Sequence, residues 1–568
     1  MILNKISTKN TILFYFGLII SLVFIVPTFL DLVEINRRIQ TISFLGNFFI
    51  LTIIILTMLD LMCLVSLKSN FNTLSIINMS LSISLFLLME YSFINGYYDF
   101  VYVWRYSSSD TPLIYKAVAI WAGEAGSIMT WMVFNSIVIS FYRIKNHDKD
   151  DLVFLRSVML SLIILIVFLL VLYSLDPFRV DEPTIFPDGL GLNPVLHSPY
   201  MIYHPFFMFV SYAIFLVPFT VIVAEALTPK SKLENSYQRD FYNFTLRFGW
   251  LVLTLGIGIG AYWASVTLSW GRYWGWDPVE TVSLLPWIFC TAYFHSMIFK
   301  KKNVILVKIN IILIFLSIIF ATLITRGGGL ASIHAYTGDA DLVIWASIFG
   351  VIIMLFSIYI LYEVLNYTIE EYKKTKLFLD SISYFFLILL AYICILGLLL
   401  PPLTFTLSLF LAVNVILVGP NYYITAASIP AVGLAVSLIF CSLWNIYKPK
   451  RIGEAIIIIL IIQSVISLIL WFILGIIINP LIIIFIFALC TSFLKLIKDS
   501  GVKMGFKQFF RVNSKTIIHI GISCILTGTF IDPNVGIFQG IFYISGFFFL
   551  IIGIIPSMLM VFFTKSRT

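Results

Sequence analysis

Charge is scarce in this sequence. Only 11% of its 568 residues are Asp, Glu, Lys or Arg, while 60% are hydrophobic. A soluble domain averages about 25% charged residues. So few charges cannot cover a soluble surface of this length, which excludes soluble enzymes, nucleic-acid binders and secreted disulfide scaffolds. Cysteine is scarce as well. Cys63, Cys290, Cys394, Cys441, Cys490 and Cys524 all fall inside apolar runs, with no CxxC and no CxxCH. That argues against a disulfide framework, a thiol relay or a covalently attached c-type haem in this chain. Each of these cysteines suits a small buried hydrophobe. No soluble domain, low-complexity tract or clear internal repeat is visible, and there are only six histidines.

What the chain has is runs of about 20 apolar residues from end to end, the pattern of an all-α, polytopic transmembrane helical bundle. The runs predict about 16 spans, at 12–30, 43–66, 74–94, 117–142, 152–174, 201–226, 247–269, 283–299, 304–324, 342–363, 381–400, 425–446, 454–474, 478–497, 516–531 and 540–563. The leading MILNKISTKN reads as the flank of an uncleaved first span, since a cleaved signal has a shorter apolar core and a small-residue cleavage site. With both termini cytoplasmic, the outer loops hold seven of the 36 Lys and Arg: Arg37, Arg38, Arg105, Lys116, Arg179, Arg272 and Arg326. That bias sets the topology and absorbs the net charge of +8. The long outer loops are rich in Pro, Gly, Asp and aromatics, so function is expected on the outer face and inside the bundle.

The histidines sort by depth. His147 lies in the inner loop KNHDKDD and reads as solvated. His295 is expected about 12 residues into its span, roughly 18 Å deep. His519 is expected a few residues into a span that starts inside, so the two reach a similar depth. An ionisable residue inside a span points to function. Two neutral imidazoles facing each other suit a bis-His b-type haem. Spacing alone leaves equally open two separate histidines, each bonded to a backbone carbonyl or serine. His204, in MIYHPFF, and His334, in LASIHAYTGD, form a weaker second pair at the outer face, with His197 a rival.

Residues 270–286 read WGRYWGWDPVETVSLLP. Three Trp and one Tyr cut by two glycines predict a large, flexible aromatic surface, more than the one or two rings of an interfacial belt. Such a surface suits a flat apolar ligand with an anionic edge, which Arg272 would pair with. Asp277 and Glu280 have the spacing of a helix cap with Pro278 at the first helical position, and capping is favoured over acid/base chemistry.

WGRYWGWDPVE followed by Leu285, Pro286 and Trp287 resembles the tryptophan-rich WWD motif of the haem-handling protein family. Further stretches agree in order: TPLIYKAVAIWAGEAGSIMTW, GLNPVLHSPYMIYHPFF, TRGGGLASIHAY, VGPNYY and IIHIGISCILTG. Over about residues 95–530 the chain looks like the CcmF branch, the cytochrome c-type biogenesis haem lyases. The resemblance implies a division into N-terminal transmembrane helices (1–94), a haem-handling core (95–363) and C-terminal transmembrane helices (364–568). His204 and His334 fall on the outer pair that holds a transient substrate haem. His295 and His519 fall on the pair that holds a stable intramembrane haem b. Trp270, Trp274, Trp276 and Asp277 fall on the WWD motif, with Arg272 and Tyr273 beside them as haem contacts.

The implied activity is thioether formation. Haem arrives on the chaperone CcmE, and its vinyl groups are joined to the CxxCH thiols of apocytochrome c, delivered with CcmH- or CcmI-type proteins. The b-haem serves as reductant. The implied location is the prokaryotic plasma membrane, with the active face external or periplasmic and no nucleic-acid partner. Four features depart from the family pattern. Arg272 stands where Gly is usual and Thr281 where Asn is usual, and the Glu of WAGEAGS is one place early. Only about ten residues, near Phe530 to Gln539, join the last two spans, where many members carry a soluble outer domain. Two other readings stay open. One is a haem or proton-coupled transporter using Asp60, Glu90, Glu124 and Glu225. The other is a bound b-haem electron-transfer subunit.

Overall fold

A computed structural model describes residues 35–67, 72–146, 151–181, 188–229, 237–267, 273–301, 303–327, 340–370, 375–444, 446–447, 449–474, 481–500, 505–531 and 536–563. Its regular structure is helical, with one isolated β-bridge, Phe100 to Val180, among the described residues. Among the described residues, twelve helices are long and apolar enough to cross a membrane. The chain is a polytopic helical membrane protein. The expected span at 12–30 lies outside the described residues, as does His147. Two compact units are present, 1–242 and 243–568.

The first unit holds α1 (Ile35–Leu67), α2 (Asn72–Ile94), the short α3 (Val101–Tyr106) and α4 (Leu113–Val118), α5 (Glu124–Lys145), α6 (Leu152–Leu175) and α7 (Tyr200–Leu227). The helix expected from residue 117 begins at Glu124 instead, because Gly123 takes an extended conformation after a 3-10 turn at Ala119–Trp121. α2 packs on α1 and α5, and α6 packs on α1 and α7. Serines stay inside these apolar helices by returning their hydroxyls to the backbone. Ser80, Ser82, Ser84 and Ser92 each donate to the carbonyl four residues earlier, which satisfies the hydroxyl where no bulk water reaches. Asp60 of α1 and Arg143 of α5 form a fully buried, two-armed ion pair.

The loops of this unit are tied to one another. Val101 N–H donates to Arg179 O at 3.1 Å, and Leu190 N–H donates to Trp104 O at 2.8 Å. The Asp188 carboxylate accepts Ser109 N–H and Gly189 N–H, both at 2.8 Å, and the Ser109 hydroxyl.

The second unit holds most of α8 (Tyr237–Thr267), then α9 (Pro278–Ser296), α10 (Val304–Gly327), α11 (Ala340–Glu370), α12 (Thr375–Ser408), α13 (Pro420–Leu443), α14 (Pro449–Leu474), α15 (Ile482–Asp499), α16 (Phe506–Phe530) and α17 (Gly536–Phe563). α9 packs on α10 and α12, α12 on α13, and α16 on α15 and α17. The α16–α17 contact is close because both faces are small. A Cβ on Gly521 would stand 2.7 Å from Gly546 O, and one on Gly546 would stand 2.9 Å from Gly521 O. Small residues let membrane helices approach backbone to backbone. Here that approach fixes the stretch of α16 that carries His519.

Two helix starts differ from the sequence expectation. α9 begins at Pro278 rather than 283, so His295 lies 17 residues into it, about 25 Å along the axis rather than 18. α16 begins at Phe506 rather than 516, which places His519 near its middle.

Candidate functional site

The aromatic loop enters α9 through a complete capping box. Asp277 accepts Val279 N–H at 3.0 Å with Pro278 at the first helical position, and the Glu280 carboxylate reaches back to Asp277 N–H. The same Glu280 oxygen accepts Gly275 N–H at 2.9 Å. Glu280 therefore clamps the loop as well as the helix. Its second oxygen, Oε1, is buried without a hydrogen-bond partner among the described residues.

The described part of the loop is pinned rather than flexible. Tyr273 donates its N–H to Gln539 Oε1 at 2.9 Å and its hydroxyl to Gly258 O at 2.8 Å. Its ring stacks on Tyr543, with centroids 4.3 Å apart and planes 14° from parallel. Trp276 stacks on Tyr423 at 5.4 Å and 4°, and Trp274 meets Trp276 edge to face. Trp276 has φ +56°, a left-handed conformation that a large side chain adopts at a cost. The stack on Tyr423 offsets that cost. Sequence reading expected a flexible surface because Tyr423, Gln539 and Tyr543 lie far away in the chain.

One cavity of about 240 Å³ joins this loop to the intramembrane histidines. Tyr273, Trp274 and Trp276 line it with Trp287, His295 and His519, and its walls are otherwise mainly aliphatic, from Ile257 to Leu526. Trp287 is held in place by a stack on Trp250 and by donating its indole N–H to Thr254 Oγ1 at 2.9 Å. Trp250 in turn donates to Thr291 Oγ1. Asp380 and Ser383 of α12 also reach the cavity; neither was singled out from sequence.

The two histidines differ in how they are held. His295 Nδ1 lies 2.9 Å from Thr291 O. A carbonyl only accepts, so Nδ1 carries the proton and Nε2 keeps its lone pair. His519 Nδ1 is buried without a partner among the described residues. An apolar cavity lined by two imidazoles, one held through Nδ1 by a backbone carbonyl and one with an unmatched ring nitrogen, fits a bis-His haem.

The other expected site residues lie elsewhere. His204 is half-buried in the first turns of α7, in the first unit. His197, in the same unit, is exposed and stacks on Tyr115 at 5.1 Å. Trp270, Arg272 and His334 lie outside the described residues.

Residues 121–331 match the model of the cytochrome c assembly protein family. The chain is 33% identical over 261 residues to the cytochrome c-type biogenesis protein NrfE of Haemophilus influenzae, covering 44% of this chain and 40% of that protein. It is 30% identical over 265 residues to the cytochrome c-type biogenesis protein CcmF of Escherichia coli, covering 45% and 39%. Each match spans less than half the length of these curated relatives. Among solved structures, a cytochrome c heme lyase CcmF superposes with a TM-score of 0.60 at 18% identity, covering 86% of this chain and 76% of that one. At that identity the superposition establishes the fold.

Residues 121–331 are thus similar to cytochrome c assembly proteins, and the helical bundle is similar in fold to a CcmF structure.

Proposed function

We propose that this chain is a haem lyase of cytochrome c maturation, acting at the external face of a prokaryotic plasma membrane. Substrate haem would come from a chaperone of the CcmE type, and the apocytochrome would come with CcmH- or CcmI-type proteins. The observation that carries the reading is the single cavity shared by Trp274 and Trp276 at one end and by His295 and His519 deeper in the bundle.

Each thioether forms when a thiol S–H adds across a vinyl C=C, making one S–C and one C–H bond with no net oxidation. The cysteines come from the substrate, since this chain has no CxxC. Its own contribution is then mainly positioning, which alone removes much of such a barrier. The pinned loop supports that role. Glu280 holds its backbone, Tyr423 holds Trp276, and Trp274 keeps a buried indole N–H without a partner among the described residues. That donor is available to an anionic or carbonyl edge of a flat ligand.

His295 and His519 would hold the resident b-type haem. When bound, that group supplies an electron store that keeps substrate haem iron reduced. The residues around it exclude water, and the Thr291 carbonyl keeps the His295 proton on Nδ1.

The test is a pyridine haemochrome spectrum of purified wild type beside His295→Ala and His519→Ala. Wild type is expected to show b-type haem, and each variant to lose it. A wild type without b-haem, or variants that retain it, would overturn the inner site. Intact cytochrome c assembly in a deletion strain would overturn the lyase assignment.

A further inference from the structure

The first unit carries buried polar chemistry that neither the aromatic loop nor the histidine cavity uses. It lies along the contact between α2 and α5. Ser75 and Ser140 bond across that contact at 2.8 Å, and Ser82 and Ser136 bond across it at 3.2 Å. Asn78 lies one turn before Ser82 on α2, and Asn135 immediately precedes Ser136 on α5. Asn78 is 3% exposed and Asn135 0%. Yet neither amide finds a partner for its oxygen or its nitrogen among the described residues. Further along α2, Glu90 lies about 60° around the helix axis from Ser75 and about 80° from Ser82. Its Oε2 is likewise buried without a partner among the described residues. From Ser75 to Glu90 α2 rises about 22 Å, most of the thickness of a hydrocarbon core.

An unpaired amide or carboxyl inside a membrane bundle costs several kcal/mol unless something hydrogen-bonds to it. Four unmatched amide atoms and a carboxyl oxygen on two packed helices need donors and acceptors together, and water supplies both. The seam also has polar groups at its two ends. The Asp60–Arg143 pair sits one turn beyond Ser140 on α5. Beyond Glu90, the short helices packed on α2 bring Trp121, whose indole N–H is also buried and unmatched.

We propose that the α2–α5 seam holds a file of internal waters that conducts protons across the first unit, with Glu90 as its proton-exchanging relay. Only O–H bonds are made and broken. A proton enters at one end of the file, passes to and from the Glu90 carboxyl, and leaves at the other, driven by the membrane potential. Asn78 and Asn135 anchor the waters and take no proton themselves. The inference does not depend on haem binding, so it stands or falls separately from the lyase reading.

The test is proton flux into liposomes containing the purified full chain. A trapped pH-sensitive dye reports lumen pH, and a valinomycin-imposed potassium diffusion potential drives the flux. Wild type is expected to acidify the lumen faster than protein-free liposomes. Glu90→Gln is expected to return the rate to that of protein-free liposomes. The double variant Asn78→Leu, Asn135→Leu is expected to do the same by drying the file, while Glu90→Asp retains measurable flux. A wild-type rate equal to that of protein-free liposomes overturns the proposal whatever the variants do. So does a Glu90→Gln rate equal to wild type.

Discussion

The indole of Trp276 lies flat on the ring of Tyr423, with centroids 5.4 Å apart and planes within 4° of parallel. This stack bridges the aromatic loop to α13 and holds a residue whose backbone is left-handed. Removing the partner ring should release it. Tyr423→Ala is expected to lose about 0.5–1.5 kcal/mol of ring–ring interaction beyond its area burial. Tyr423→Phe keeps the ring and should stay near wild type. Thermal unfolding in detergent, followed by tryptophan fluorescence, checks both, and an unshifted Tyr423→Ala would remove the stack from the account of the loop.

Glu280 satisfies two backbone donors at once, Gly275 N–H and Asp277 N–H. Glu280→Ala should therefore cost more than an ordinary capping change, which is about 1 kcal/mol. Glu280→Gln keeps an acceptor oxygen and should recover most of the difference. Unfolding midpoints for the two variants give the comparison. Equal losses would mean that the carboxylate charge matters and the hydrogen bonds do not.

What the sequence made legible follows the range of each interaction. The capping box was readable because Asp277, Pro278 and Glu280 are neighbours. His295 and His519 could be singled out because an imidazole among apolar residues is conspicuous, and both line one cavity. Tyr273 to Gln539 was not readable, since its partners stand 266 residues apart and a glutamine beside a span carries no signal of its own. The start of α16 was misplaced for a different reason. Its first turns, FKQFFRVNSK, are polar, and hydropathy registers only the apolar part of a helix. Asp60 suggested a proton carrier in sequence; its pairing with Arg143 depends on how α1 meets α5.

Asp188 should make the loops of the first unit sensitive to acid. Hydrogen bonds from the Ser109 hydroxyl, then from the backbone N–H groups of Ser109 and Gly189, hold its carboxyl below the usual carboxylate range. A depressed native pKa means the clasp contributes fully above the unfolded value. The contribution fades as pH falls through the native value. Amide hydrogen exchange at Ser109 and Gly189 is expected to accelerate on acidification, after correction for intrinsic rates. Asp188→Asn should show faster exchange already at neutral pH and little further dependence. Exchange independent of pH in the wild type would rule out the clasp as an acid-sensitive element.

The Asp60–Arg143 pair gives the sharpest stability contrast in the first unit. Both side chains are fully buried. Removing one leaves the other charge without its main counter-ion in a low-dielectric interior, at a cost of about 3–5 kcal/mol. Asp60→Leu and Arg143→Leu are each expected to lower the unfolding midpoint strongly. The double variant removes both charges together and should recover much of the loss, because two apolar side chains have no desolvation penalty to offset. If Asp60 acted mainly as a proton carrier, Asp60→Leu would change flux and leave the midpoint little moved. If the pair is structural, the midpoint moves first and the double variant restores it. Unfolding of all four forms in one detergent, read by circular dichroism, distinguishes the two outcomes.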